Sequence, residues 1–138
     1  GSTTLRAVRI DYPSPKSALA TALKEQKRIT LPGLYFDFGS AVLRPESQAN
    51  LSAIAEAVRA APAGLLRLAG HTDSRGDGAK NQALSLARAE AVRAALIQLD
   101  ASLAARLKAE GFGATQPVAA NTTLEGRAQN RRVELRLP

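Results

Sequence analysis

The stretch that decides the fold is Leu65-Leu66-Arg67-Leu68-Ala69-Gly70-His71-Thr72-Asp73-Ser74-Arg75-Gly76-Asp77-Gly78, with residues 79–99 behind it. Residues 65–71 are a short, mostly apolar run, the pattern of a strand. Residues 72–79 contain Gly76 and Gly78 and read as a loop. A long helix is predicted over about residues 80–99, with Leu84, Ala91, Ala95, Leu96 and Leu99 as its apolar positions. Upstream, residues 31–37 predict another strand and residues 38–41 a loop. Pro45 suits the first turn of a helix running to about residue 60, whose Leu51, Ile54, Ala55 and Val58 share a face. Downstream come a helical turn near 101–107, a strand near 108–112, a loop-like stretch, a helical turn over 126–130 and an alternating strand over 132–137. The order β-α-β-α-β-β predicts an α+β two-layer sandwich, with helices packed on a mixed sheet through right-handed crossovers. In such sheets ligands gather where strand ends meet helix starts, and Asp37, Asp73 and the start of the long helix fall at one such edge.

Residues 1–28 read differently. Asp11-Tyr12-Pro13-Ser14-Pro15 is a turn or extended linker, and Ser17 suits the cap of a short helix to about residue 27. Gly1-Ser2 reads as a cloning scar, methionine is absent, and the segment is expected to be the tail of an upstream region. The domain itself is therefore expected at 29–138.

The 138 residues suffice for one domain with a sizeable core. Apolar residues at 45% and charged residues at 22% exclude a disordered tail, a collagen-like rod and a coiled coil. The absence of cysteine excludes disulfides, a thiolate nucleophile and a sulfur-ligated zinc site. The single histidine, His71, excludes multi-histidine clusters. The longest uncharged run, residues 111–124, holds glycine, proline, asparagine and threonine and does not match a membrane span.

The net charge of +7 is unevenly placed. Residues 1–30 carry six basic and two acidic groups, residues 31–126 carry nine of each, and the last twelve carry four basic groups against Glu134. A single-strand nucleic-acid binder wants a continuous basic face interleaved with aromatic platforms. Here the aromatics are Phe36, Phe38, Phe112, Tyr12 and Tyr35, three of them in one segment, so a solvated basic surface fits better than nucleic-acid binding.

Arg88 stands out, because helical spacing from Leu84 to Ala91 and Ala95 sets it on the apolar stripe of the long helix. A guanidinium there must snorkel, pair with a protein carboxylate or meet a ligand anion. The plain structural reading is an Arg88–carboxylate pair. Asn81 lies on the same face, toward the helix start. Asp73 heads the glycine-bearing loop, where an aspartate usually caps a turn but also suits a ligand cation. Together Asp73 and Arg88 make arms of opposite charge fit for a zwitterion. Catalysis and metal binding read poorly. His71 and Asp73 have no serine in a nucleophile elbow to serve. The calcium-like run from Asp73 has Arg75 at its third position and Leu84 where a bidentate glutamate is required. Arg75-Gly76-Asp77 spells an adhesion tripeptide, too short to carry weight.

Several motifs nevertheless occur together and in order: Tyr35-Phe36-Asp37-Phe38-Gly39-Ser40, Leu43-Arg44-Pro45-Glu46-Ser47, Gly70-His71-Thr72-Asp73-Ser74-Arg75-Gly76, Asn81-Gln82-Ala83-Leu84-Ser85-Leu86-Ala87-Arg88-Ala89, Gly111-Phe112-Gly113 and Glu125-Gly126-Arg127-Ala128-Gln129-Asn130-Arg131-Arg132-Val133-Glu134. Over about residues 29–137 the chain strongly resembles the OmpA-like C-terminal domain, the peptidoglycan-binding module shared with Pal lipoproteins and MotB stator proteins. The resemblance implies a βαβαββ domain in the periplasm of a Gram-negative bacterium, attached to the outer membrane through a region outside this sequence. It implies non-covalent binding of peptidoglycan through meso-diaminopimelate in the peptide stem, no enzymatic activity, no cofactor and no metal. Matched by position, Asp73 takes the diaminopimelate ammonium and Arg88 forks its carboxylate. Asn81 supports them, Asp37, Phe38 and Gly39 form one wall through backbone groups, and Arg131 is a second basic residue near the site. Gly39 stands where other members often carry a side chain, so a side-chain contact there is not implied. Two other readings compete: a protein-interaction module in which Asp73 and Arg88 pair with each other, and a binder of RNA or an acidic polymer through the basic ends.

Overall fold

The computed structural model describes residues 15–62 and 64–138. The chain runs α1 (Pro15–Gln26), β1 (Arg28–Thr30), a 3-10 turn (Pro45–Ser47) leading into α2 (Gln48–Ala60), β2 (Leu66–His71) and α3 (Gly78–Leu99). A second 3-10 turn (Ala101–Ala105), β3 (Leu107–Gly111), α4 (Leu124–Asn130) and β4 (Arg132–Arg136) complete it. The sheet order is β1-β4-β2-β3, with β2 and β3 parallel and β4 antiparallel to both β1 and β2. A parallel pair needs a long crossover, which α3 supplies. The expected two-layer sandwich with a mixed sheet is the observed architecture.

Alternation sorts the strands onto two faces. Leu66, Leu68, Val133 and Leu135 turn toward the helices and are at most 5% exposed, packed with Leu51, Ile54 and Val58 of α2 and Val92 and Leu96 of α3. Each such side chain contributes about 1.5–3 kcal/mol by leaving water. The other face is charged. Glu134 there is flanked by Arg132 at 2.6 Å and Arg136 at 3.0 Å, and it is itself buried.

Two expectations need correction. The first strand is not residues 31–37 but Arg28–Thr30, paired in register with Arg136, Leu135 and Glu134. The ladder ends as Leu31 donates to Val133, because Pro32 has no N–H to continue it and Gly33 turns away at φ 70°. Residues 31–37 keep only an isolated bridge between Phe36 and Leu43. The packed unit also reaches back beyond residue 29. Helix α1 lies against α2, and its Leu23 is 1% exposed within the core. The turn read over residues 11–15 lies outside the described residues except for Pro15, which opens α1.

Helix α3 rests directly on the backbones of β2 and β3. A Cβ added at Gly70 would lie 2.0 Å from the Ser85 carbonyl oxygen, and one at Gly111 would lie 2.5 Å from the Leu86 nitrogen. This close approach fixes the height of α3 above the sheet and so the position of the side chains on its first three turns.

Candidate functional site

Strand β2 delivers the chain at His71, and the loop to α3 carries Asp73. Thr72 N–H donates to the Gly113 carbonyl and Ser74 N–H to the Asn121 side chain, which pins the loop to its neighbour. Asp77 ends the loop by capping α3, accepting from the N–H groups of Ala79 and Lys80. Asn81, one turn in, donates to the Arg75 carbonyl at 2.8 Å and so braces the loop from behind.

Asp73 is buried, its side chain 7% exposed. Its carboxylate accepts from Arg75 N–H at 2.9 Å, from the Arg75 guanidinium at 3.2 Å and from Arg131 at 2.7 Å. Burial pushes its pKa up, but these donors together outweigh burial and hold it below the usual carboxylate range. Asp73 is therefore an anion at neutral pH.

Arg88 is half-buried across the same cleft. Its Nε donates to the Ser40 carbonyl at 2.8 Å and one Nη to the Asp37 carbonyl at 3.2 Å, while the guanidinium lies 5.0 Å from the Phe36 ring centre. Among the described residues no carboxylate lies within ion-pair distance of Arg88, so the expected Arg88–carboxylate pair is not formed, and Asp73 pairs with Arg75 and Arg131 instead. Burial and the nearby Arg131 charge lower the Arg88 pKa, and Asp73 opposes them. Arg88 also sits less squarely on the buried stripe than its spacing implied. The buried residues of α3 are Ser85, Ala89, Val92 and Leu96, and Arg88 flanks them. That flank position is what lets it reach the loop carbonyls.

The loop over 37–40 forms the opposite wall, with its backbone carbonyls turned to Arg88. Gly39 adopts φ 68°, Ser40 N–H donates to the Asp37 carbonyl, and the Asp37 side chain faces away to Arg44 at 2.6 Å. Phe38 stands 97% exposed on the rim. Phe38, Gly39, Asp73, Asn81, Arg88 and Arg131 thus line one cleft of about 510 Å³, whereas Asp37 does not line it and touches the site only as a carbonyl that accepts from Arg88. Sequence reading had not assigned Arg75 and Lys80, which line the same cleft. Their signal was present in their spacing, two and seven residues after Asp73, in the loop and in the first turn of α3. A second cavity of about 160 Å³ behind Arg88 is walled by Leu34, Phe36 and Val133 and lacks the Asp73 carboxylate.

His71 belongs to the charged sheet face and makes no hydrogen bond to Asp73. Its ring stacks on Phe112 at 5.4 Å, and Nε2 lies 3.2 Å from an Arg136 Nη. Burial, then the charge of Arg132, lowers its pKa to about 4. The unfolded chain protonates this histidine near pH 6.5 and the native protein does not, so stability is complete above 6.5 and drains as pH falls toward 4. Urea unfolding at pH 7.5 and 4.5 is expected to differ by about 2–3 kcal/mol from this group. His71→Gln should flatten the slope over that window. An equal slope in both proteins would contradict the assignment.

Among the described residues, no helix is long and apolar enough to cross a membrane, and no group of three or more His, Asp or Glu side chains gathers to hold a metal.

Comparison with known proteins places this geometry. The OmpA family model matches residues 35–131. Outer membrane porin F of Pseudomonas fluorescens is 43% identical over 99 residues, which are 72% of this chain and 30% of the porin, so the chain corresponds to about a third of that relative. The structure of the cell wall anchor of the T6SS from Pseudomonas aeruginosa superposes with a TM-score of 0.68 at 35% identity, covering 91% of this chain and 96% of that one. The peptidoglycan-associated lipoprotein from Burkholderia pseudomallei superposes with a TM-score of 0.62 at 38% identity, covering 75% of this chain and 86% of that one. With the family model matching residues 35–131, most of the chain, the chain belongs to the OmpA family.

Proposed function

We propose that this domain binds peptidoglycan non-covalently through the free end of meso-diaminopimelate in the peptide stem. Asp73 receives the ammonium and Arg88 the carboxylate on the same carbon. One observation carries the reading: a half-buried guanidinium braced by two backbone carbonyls, not by an acid, faces a cleft that also holds a buried carboxylate. Backbone braces orient the guanidinium without neutralising it, so its charge is left for a ligand anion. A carboxylate has about four acceptor positions, and Asp73 already accepts four hydrogen bonds, so the ammonium takes the place of the half-exposed Arg75 side chain, whose contacts at 3.2 and 3.4 Å are the longest of the four. Likeness to a cell wall anchor and to a peptidoglycan-associated lipoprotein supports the same reading, and with it a periplasmic location and attachment to the outer membrane through a region outside this sequence. The interaction-module alternative predicts an Asp73–Arg88 pair, and the arginine contacts of Asp73 argue against it.

The test is selectivity between cell walls. A lysine-type stem keeps the ammonium and lacks the second carboxylate, so the Arg88 donors left free by Ser40 and Asp37 are desolvated with nothing to receive them. A stranded donor costs about 1–3 kcal/mol, which is roughly 5- to 150-fold in affinity. Co-sedimentation with insoluble walls is expected to be strong for the diaminopimelate type, weak for the lysine type and reversed by free diaminopimelate. Equal capture by both walls would overturn the mechanism.

A further inference from the structure

The cleft carries more positive charge than a single zwitterion can answer. Arg75, Lys80, Arg88 and Arg131 line it against Asp73 and Asp77, and the Asp77 carboxylate is committed to capping α3. The diaminopimelate end brings one ammonium and one carboxylate, which adds no net charge. Its ammonium also competes with Arg75 and Arg131 for the Asp73 oxygens that both now share. Filling the site with a zwitterion alone would therefore leave Arg75 with less of the Asp73 charge than before and add no net negative charge to answer Lys80.

We infer that the cleft reads a second carboxylate of the stem peptide, received by Arg75 and Lys80 beside the Asp73–Arg88 pair. This rests on the peptidoglycan reading above and adds to it the number of acidic groups the ligand must carry. Position favours it. Arg75 lies in the loop and Lys80 in the first turn of α3, both lining the cleft, and the Arg75 side chain is about half exposed, so it can turn from Asp73 to a ligand without uncovering the core. An exposed arm of this kind adds affinity and selectivity at modest strength, and it does so in a salt-dependent way. Two stem carboxylates have the required chemistry: the α-carboxylate of the γ-linked D-glutamate, and the peptide's C-terminal carboxylate.

The experiment titrates the whole chain with the tripeptide L-Ala-γ-D-Glu-meso-diaminopimelate and with two analogues, one amidated at the glutamate α-carboxyl and one at the C-terminus. The diaminopimelate zwitterion is intact in all three. Amidation at one of these positions is expected to weaken binding by about three- to tenfold at low salt, with the difference shrinking as salt is raised. The position that responds identifies the carboxylate. The double variant Arg75→Ala with Lys80→Ala should bind the acid form more weakly and lose the discrimination. If wild type binds all three peptides equally, the second-carboxylate site is wrong while the Asp73–Arg88 reading stands. If wild type binds none of them, the peptidoglycan reading itself falls. Should the double variant fail to fold, the comparison of the three peptides on wild type decides alone.

Discussion

Arg88→Ala and Asp73→Ala each abolish capture of diaminopimelate-type peptidoglycan while the domain stays folded; that is the expected result of the charge arrangement in the cleft. Removing one partner of a desolvated charge pair costs about 2–5 kcal/mol, or roughly 30- to 4,000-fold in affinity. The fold survives because neither residue belongs to the apolar core. In Asp73→Ala the guanidinium groups of Arg75 and Arg131 are already partly exposed and return to water. In Arg88→Ala the carbonyls of Ser40 and Asp37 lose a donor, and the Asp37 carbonyl keeps the Ser40 N–H. Arg88→Lys is expected to fail as well. The guanidinium is braced through Nε and one Nη and still has donors to present, whereas one ammonium cannot hold both carbonyls and grip a carboxylate. Calorimetric titration with stem peptide and a thermal melt on each variant are the measurements. Wild-type affinity in Arg88→Lys would sink the forked assignment.

The parts of this site that could be read in the sequence were those fixed by local pattern. Asp73 follows a strand and heads a loop with two glycines, so its place at a strand end needed no tertiary information. Arg88 was conspicuous because the helix around it is rich in alanine. The same alanines blurred which face is buried. The stripe is Ser85, Ala89, Val92 and Leu96, one step round from the Leu84, Arg88, Ala91 and Ala95 that spacing suggested. Strand β1 was missed because it is three residues long with only Ile29 pointing inward, while the more apolar residues just after it are broken by Pro32 and Gly33. The contact between Asp73 and Arg131 is invisible to local pattern, and only the family resemblance put Arg131 near the site. Arg131 lies 58 residues away along the chain and reaches Asp73 only because β4 inserts between β1 and β2. Leu23 was hidden likewise, since its burial depends on α1 folding back onto α2.

The geometry of the cleft depends on how closely α3 approaches the sheet, and Gly70→Ala tests that dependence. The added methyl would sit 2.0 Å from the Ser85 carbonyl oxygen and 2.8 Å from its carbon. Ordinary contact is about 3.5–4 Å. The obstacle is helix backbone, so no side-chain rotation relieves it, and α3 must lift from β2. Gly111 meets the same helix at Leu86, so tilting away from one strand drives α3 toward the other. Overpacking of this kind costs about 1–3 kcal/mol and sometimes more. The lift also carries Asn81 off the Arg75 carbonyl and Arg88 off the carbonyls of Ser40 and Asp37, all held at 2.8–3.2 Å. Gly70→Ala is therefore expected to lower the melting temperature and, in the fraction still folded at low temperature, to weaken diaminopimelate binding about tenfold or more, because small misplacements of oriented charges are costly. Gly78→Ala is the control. A Cβ there meets nothing within 4 Å, its φ lies outside the left-handed region, and it opens the same helix. If Gly70→Ala melts and binds like Gly78→Ala, the contact of α3 with β2 does not set the site, and the position of Arg88 must be fixed by the loop over residues 37–40 alone.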